Sequence, residues 1–283
     1  MAQVTITKAN FLTKVNDLLN DNWAGTTTSA GNADRKDLLD SELAHYKDNY
    51  FNGWWVYVAS QLRRVSDFIS TSGTVEWITA TTALVGSGVA YELHRYDRDK
   101  KIAASNQALS MVYPWFYNRV EDEATLTGTG SSATEYIVPA TFTEFPEQIF
   151  EKYESGSVVD YREILNFETR KAAGTMYFYA DITLGEPILL VGKTYLTQFT
   201  SSDTSTTELD DSQANVVAML AASIFCRMMS STVSANDAGR YDSLAQRYEN
   251  MYEEQRNKLA EPRLVQPKLD WTWLTSGEST TYE

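Results

Sequence analysis

The apolar residues of this chain change period twice, and no single-class fold accommodates that change. From residue 8 to about 118 they recur at steps of three and four, as on one face of a helix. From there to about 206 they fall in short β-rich runs separated by glycine and proline, and after Thr207 the helical spacing returns. The pattern predicts an α+β chain, mainly α: a helical bundle with an inserted antiparallel β region and an extended C-terminal arm.

The N-terminal part, 1–118, reads as helices around a Thr/Gly-rich extended segment at 71–92. Phe11, Val15, Leu18 and Leu19 mark a short amphipathic helix over 8–20. A second helix begins at Asp34 with Leu38, Leu39, Leu43 and Tyr46 on one side. After Gly53, Trp55, Val58, Leu62, Val65 and Ile69 predict a third. In 71–92 the alternation of Val75, Trp77 and Thr79 suits a strand, while Gly86, Gly88 and many threonines suit a looping arm; pattern alone leaves both open. A further helix spans about 97–118 with Ile102, Leu109, Val112 and Phe116 inward, and Pro114 kinks or closes it.

In the β-rich insertion, 119–206, the strands expected are Tyr136 to Val138, Val158 to Tyr161, Met176 to Tyr179, Ile188 to Val191 and Tyr195 to Thr197. Gly185-Glu186-Pro187 is a turn before one of them, and Gly192-Lys193 reads as a hairpin connection. The segment 207–261 reads as a helix pair completing the bundle, opened by Thr207 and Asp210 at capping-box spacing. Pro262 ends it. The arm, 262–283, carries Leu264, Pro267, Leu269, Trp271, Trp273 and Leu274. Two tryptophans are costly to leave in water, so they either pack back on the same chain or anchor the arm on a neighbouring subunit or another protein.

Chemistry-bearing patterns are sparse. The only histidines, His45 and His94, are far apart, and the only cysteine is Cys226, so neither a metal site nor a cofactor is expected. His94, beside Arg95 and Asp97, reads as a residue at a helix start or on the surface. No nucleophile-elbow motif accompanies either histidine, and Gly86-Ser87-Gly88 lacks the rest of a nucleotide fingerprint. No catalytic residue is assigned. A lone cysteine and the lack of a signal-peptide pattern suit a reducing cytosol. No apolar run reaches the ~18 residues of a membrane span, so no membrane partner is expected. A formal charge of −14 opposes wrapping of nucleic acid, and 17 Tyr, 11 Phe and 7 Trp suit large protein surfaces.

The helix ending in Ala108-Leu109 and Tyr113-Pro114, followed by a strand from Tyr136 to Pro139, resembles the head-to-tail adaptor, or connector, proteins of tailed bacteriophages. Met176 to Phe178, Leu184-Gly185-Glu186-Pro187, Ile188 to Val191 and Tyr195 match that family's later strand-turn-strand, and the closing helices fit as well. The likeness covers roughly 90–260. It implies a homo-oligomeric ring, usually of twelve copies, in the virion neck between capsid and tail, assembled in the host cytoplasm. Its partners would be the portal protein, reached by the C-terminal segment, and a downstream neck or tail protein, with DNA passing through the lumen without sequence-specific binding. Alternatives are a glycan-binding or glycan-cleaving tail component, or another virion structural protein such as a tail terminator or decoration protein.

Overall fold

A computed structural model gives the protein's architecture and describes residues 4–21, 23–155, 158–182 and 185–259. Helix and strand each account for 31% of the chain, with four helices and fifteen strands among the described residues. The chain is therefore a β-rich α+β protein, and the expectation of a mainly α bundle is wrong. The error lies in the N-terminal third, where a second β module replaces the predicted second and third helices.

The chain opens with β1 (Ile6–Thr7) and α1 (Lys8–Leu19). It then enters six strands: β2 (Trp23–Thr26), β3 (Asp37–Leu39), β4 (Trp55–Val58), β5 (Gln61–Ile69), β6 (Thr74–Trp77) and β7 (Ala90–His94). Their order is β2-β7-β4-β5-β6-β3, and every pairing is antiparallel. The two ends of that order meet, because the Thr28 and Ser29 N–H groups, just past β2, both donate to the Leu39 carbonyl of β3. The sheet thus closes into a small barrel with no free edge along that seam. Leu38, Val56, Val58, Val65, Phe68, Val75, Trp77 and Leu93 fill it. At one end Trp23, Tyr46, Phe51, Trp54 and Phe68 pack mostly edge to face.

Why these residues mimic a helix is visible in the register. Ala59 and Ser60 both have positive φ (50° and 60°), which makes a two-residue hairpin turn, and Val58 faces Gln61 while Tyr57 faces Leu62. The turn restarts the alternation, and a bulge between Val65 and Asp67 adds an odd step. Two strands of period 2 offset in this way imitate steps of three and four. The predicted helix from Asp34 is instead β3 followed by a 3₁₀ turn, Ser41–His45, capped by the Asp40 carboxylate. In 71–92 the strand reading holds for β6, and residues 78–89 form the connection to β7.

After the barrel come α2 (Arg98–Met111) and a second β module: β8 (Asn118–Asp122), β9 (Ser131–Ile137), β10 (Gln148–Ser155), β11 (Val158–Glu163), β12 (Phe167–Ala172), β13 (Thr175–Ile182) and β14 (Ile188–Thr194). Sheets ordered β11-β10-β14-β8 and β12-β13-β9 share one core containing Ile149, Ile188 and Leu190 from the first and Tyr136, Phe178 and Ile182 from the second. The sequence pattern leaves a single antiparallel sheet or a small sandwich open for 119–206, and the structure has two packed sheets. Gly192 and Lys193 do not turn, however; they lie inside β14 opposite Val120 and Arg119. A Cβ on Gly192 would come 2.7 Å from the Phe142 ring, so the glycine serves close packing there. Tyr195 to Thr197 form no strand.

The described residues end with β15 (Thr206–Thr207), paired to β1, then α3 (Asp211–Ser230) and α4 (Ala235–Leu259). The capping box on α3 is Asp210 with Gln213, because Thr207 is taken up by β15. The helix expected over about 97–118 stops at Met111 with Val112 as its C-cap, two residues before Pro114, so residues 113–118 lie outside it. α3 packs on α1, α2 and α4, and its Ala214, Ala218, Ala221 and Ala222 allow close approach while Val217 and Phe225 fill the core. Contrary to the expectation that no run suffices, α3 is long and apolar enough by composition to cross a membrane, but 61% of that stretch is buried inside the fold. The bundle is thus assembled from three separated pieces of chain, with the barrel inserted between α1 and α2 and the sandwich between α2 and α3.

Candidate functional site at the barrel and bundle junction

The arm residues singled out in the sequence, Leu264, Pro267, Leu269, Trp271, Trp273 and Leu274, lie outside the described residues. The densest chemistry that the structure does describe sits where the chain crosses between bundle and barrel.

Two crossings run side by side. Outward, α1 ends at Asn20, whose left-handed backbone (φ 50°, ψ 47°) turns the chain into Asp21 and β2. Inward, β7 ends at His94 and passes through Arg95 and Tyr96 into α2. The Asp21 carboxylate accepts from the Arg95 N–H at 2.6 Å and the Tyr96 N–H at 3.3 Å, tying one crossing to the other. It also accepts from Lys101 Nζ at 3.0 Å, and both side chains are essentially fully buried. Lys101 donates further to Asn16 Oδ1 at 2.5 Å and lies 3.2 Å from His94 Nδ1. His94 Nε2 lies 2.9 Å from Glu92 Oε2. Nε2 faces the Glu92 carboxylate as a donor, and Nδ1 stands between the Lys101 ammonium and the Asp21 backbone carbonyl oxygen, 3.1 Å away.

His94 is therefore completely buried, not a surface residue. Burial pushes the Lys101 pKa below its ordinary value, an effect that Asp21 partly offsets. The hydrogen bond from His94 holds the Glu92 carboxyl below the usual range despite burial.

A second knot lies nearby. Asp203, in the segment before α3, takes Lys8 Nζ of α1 and Arg98 of α2, each at 3.0 Å, and the Tyr57 hydroxyl of β4. Arg98 also stacks on the Tyr57 ring, 3.9 Å from its centroid. Burial works to raise the Asp203 pKa, but hydrogen bonds from Tyr57, Lys8 and Arg98 outweigh it and hold the carboxyl low. Lys8, Tyr57 and Arg98 line a cleft of about 720 Å³ with Arg63, Asn106 and Thr200. Its cations are engaged within the protein: Lys8 also donates to the Thr200 and Ser201 carbonyls, and Arg63 to the Leu62, Thr79 and Ala80 carbonyls. The arrangement holds elements together and leaves no cation of this cleft aimed at a ligand.

Among the described residues no group of three or more His, Cys, Asp or Glu side chains could hold a metal ion. Cys226 is buried between α3 and α4 beside Ala222, Ala245 and Tyr248. Sequence reading missed Lys101 because it sought apolar residues on α2. The available signal was that Lys101 falls in step with Ala104, Ser105 and Ala108, a small-residue face that buries closely. No protein-family profile matches the chain, and neither curated proteins nor solved structures give a match.

Proposed function

We propose that this chain is a structural virion protein, a head-to-tail adaptor that forms a ring, docks on the portal and lines part of the DNA exit channel. The observation that carries the reading is the motif order on its elements. Ala108-Leu109 lies in the last turns of α2, Tyr113-Pro114 follows that helix, and Tyr136 to Pro139 spans the end of β9 and the residues after it. The architecture supports it in kind: a bundle with two β modules hung on helix connections offers several separate surfaces. On them stand large apolar side chains in the open, among them Ile78 and Leu165, each nearly four-fifths exposed, with Ile137, Tyr153 and Tyr195 about half exposed. Twelve copies at −14 each carry −168, which disfavours DNA adhesion wherever those acids face a lumen.

The test is negative-stain imaging and solution mass of the purified protein with and without portal particles. Rings stacked on the portal are expected. A portal-indifferent monomer, or binding to cell-surface glycans lost on replacing one carboxylate, sinks the proposal. Truncation after Pro262 is expected to abolish portal attachment and leave a folded subunit; unchanged attachment removes the role assigned to Trp271 and Trp273.

A further inference from the structure

His94 Nδ1 stands between two groups with opposite demands. The Asp21 carbonyl oxygen, 3.1 Å away, can only accept a hydrogen bond, whereas the Lys101 ammonium, with Nζ 3.2 Å away, can only donate one. A bare Nδ1 accepts from the lysine and meets the carbonyl lone pair against lone pair. A protonated Nδ1 donates to the carbonyl and meets the lysine as like charge against like charge. The ring is fully buried, and its Nε2 is held by the Glu92 carboxylate at 2.9 Å, so it stays in place between the two. The three groups belong to different elements: Asp21 follows α1, His94 ends β7 and Lys101 stands on α2.

We infer that His94 is a proton-operated latch between barrel and bundle: a bare Nδ1 holds α2 through Lys101, and a proton taken up from water as pH falls passes the bond to the Asp21 carbonyl and displaces the ammonium. The charges around the ring give the latch its direction. The Glu92 carboxylate on β7 touches Nε2 and the Asp21 carboxylate lies 4.0 Å from Nδ1, so both favour an imidazolium. The Lys101 ammonium opposes it, while Arg98 acts on Glu92. β4 sets uncharged Trp55 opposite His94. The Glu92 carboxyl is held below the usual carboxylate range, so it stays ionised while an imidazole titrates. Of the two cations, Lys101 is the one that burial already disfavours, its pKa being lowered for that reason. Once it withdraws, the Asp21 carboxylate holds the second crossing through the Arg95 and Tyr96 N–H groups without the ammonium, and the barrel hinges more freely.

The experiment is magnetic resonance of the full chain carrying nitrogen-labelled histidine, from about pH 8 to about pH 5, the range in which an imidazole in water titrates. The ring nitrogen shifts separate a bare Nδ1 from a protonated one, and exposed His45, the only other histidine, is the reference. In wild type, Nδ1 of His94 is expected to be bare at the upper end and protonated at the lower. Over the same range the exchange protection of the Arg95 and Tyr96 amides should fall about tenfold, as for the loss of one hydrogen bond to a charged group. In Lys101→Met, Nδ1 faces the Asp21 carbonyl without a competitor. It is expected to carry its proton at both ends, with amide protection that does not change. A wild-type Nδ1 that keeps one state throughout overturns the inference, and that result needs no variant to fold. Equal loss of protection in wild type and Lys101→Met overturns it as well. No ring or portal enters these measurements, so this inference and the adaptor proposal fail independently.

Discussion

Replacing Asp21 and replacing Lys101 break the same ion pair, yet the structure makes their costs unequal. In Asp21→Asn the buried ammonium loses the counter-charge in contact with it and keeps the Asn16 oxygen and the more distant Glu92 carboxylate. Breaking a buried pair so that a charge is left behind costs about 3–5 kcal/mol. In Lys101→Met the carboxylate remains satisfied by the Arg95 and Tyr96 N–H groups, and the penalty of burying the ammonium disappears. That change should cost about 1 kcal/mol, chiefly for the unpartnered Asn16 oxygen. At about 2 °C per kcal/mol, the low end of the range for large domains and the value suited to a chain of 283 residues, the midpoints should fall by roughly 8 °C and 2 °C. The double variant should recover about 2 kcal/mol relative to Asp21→Asn, because no buried charge is left. The pH dependence has a definite sign. The folded Lys101 pKa lies below its ordinary 10.5, so between the two values the unfolded chain binds more protons and stability rises with pH. Wild type should show that slope and Lys101→Met should lack it. Thermal and urea unfolding of the three variants across alkaline pH decide the matter. A Lys101→Met cost equal to or above that of Asp21→Asn refutes the reasoning.

The Asp203 carboxyl is held low in the fold, so its contribution is fully present above the ordinary carboxylate pKa and is lost as pH falls through the lowered value. Asp203→Asn should cost about 2 kcal/mol at neutral pH and flatten the acid limb of a stability titration; an unchanged limb contradicts the assignment. Gly73 has φ +65°, and a Cβ there would sit 1.9 Å from the Asp40 carbonyl. Gly73→Ala should therefore cost at least about 2 kcal/mol, and a denaturant midpoint within error of wild type rejects the clash. The Cys226 thiol is buried and pushed up to about 11, so thiol reagents at mildly alkaline pH should label it only after unfolding. Fast labelling of the native protein would mean that α3 and α4 separate readily.

Helices whose apolar faces are continuous were legible: α1 from Phe11 and Val15, α3 from Val217, Ile224 and their neighbours, and α4 from Tyr241 to Leu259. So were most strands of the sandwich, where β-branched and aromatic runs stand between breakers. The barrel was not. Its decisive turn is Ala59-Ser60, which carries none of the asparagine or glycine that normally marks positive φ, and its closure depends on Leu39 meeting Thr28 and Ser29, a non-local pairing that no spacing encodes. The junction was illegible for a related reason. Lys8, Asp21, Lys101 and Asp203 look like ordinary surface charges in a chain that is 22% charged, and only tertiary contact makes them partners.

The polar character of that junction follows from what it must do. An apolar contact between a barrel and a bundle stabilises many relative orientations almost equally, since burial has no directional preference. Asp21 instead receives two backbone N–H groups and an ammonium along fixed directions, and Asp203 receives three donors from α1, α2 and β4. A rotation of the barrel by one residue's step would leave several buried polar groups unmatched at once, at about 1–3 kcal/mol each. Orientation is thereby fixed more sharply than stability is increased. In a subunit whose proposed role is to repeat around a ring, every barrel would have to stand at the same angle to its bundle. A junction that tolerated tilt would let the error accumulate around the ring and prevent closure.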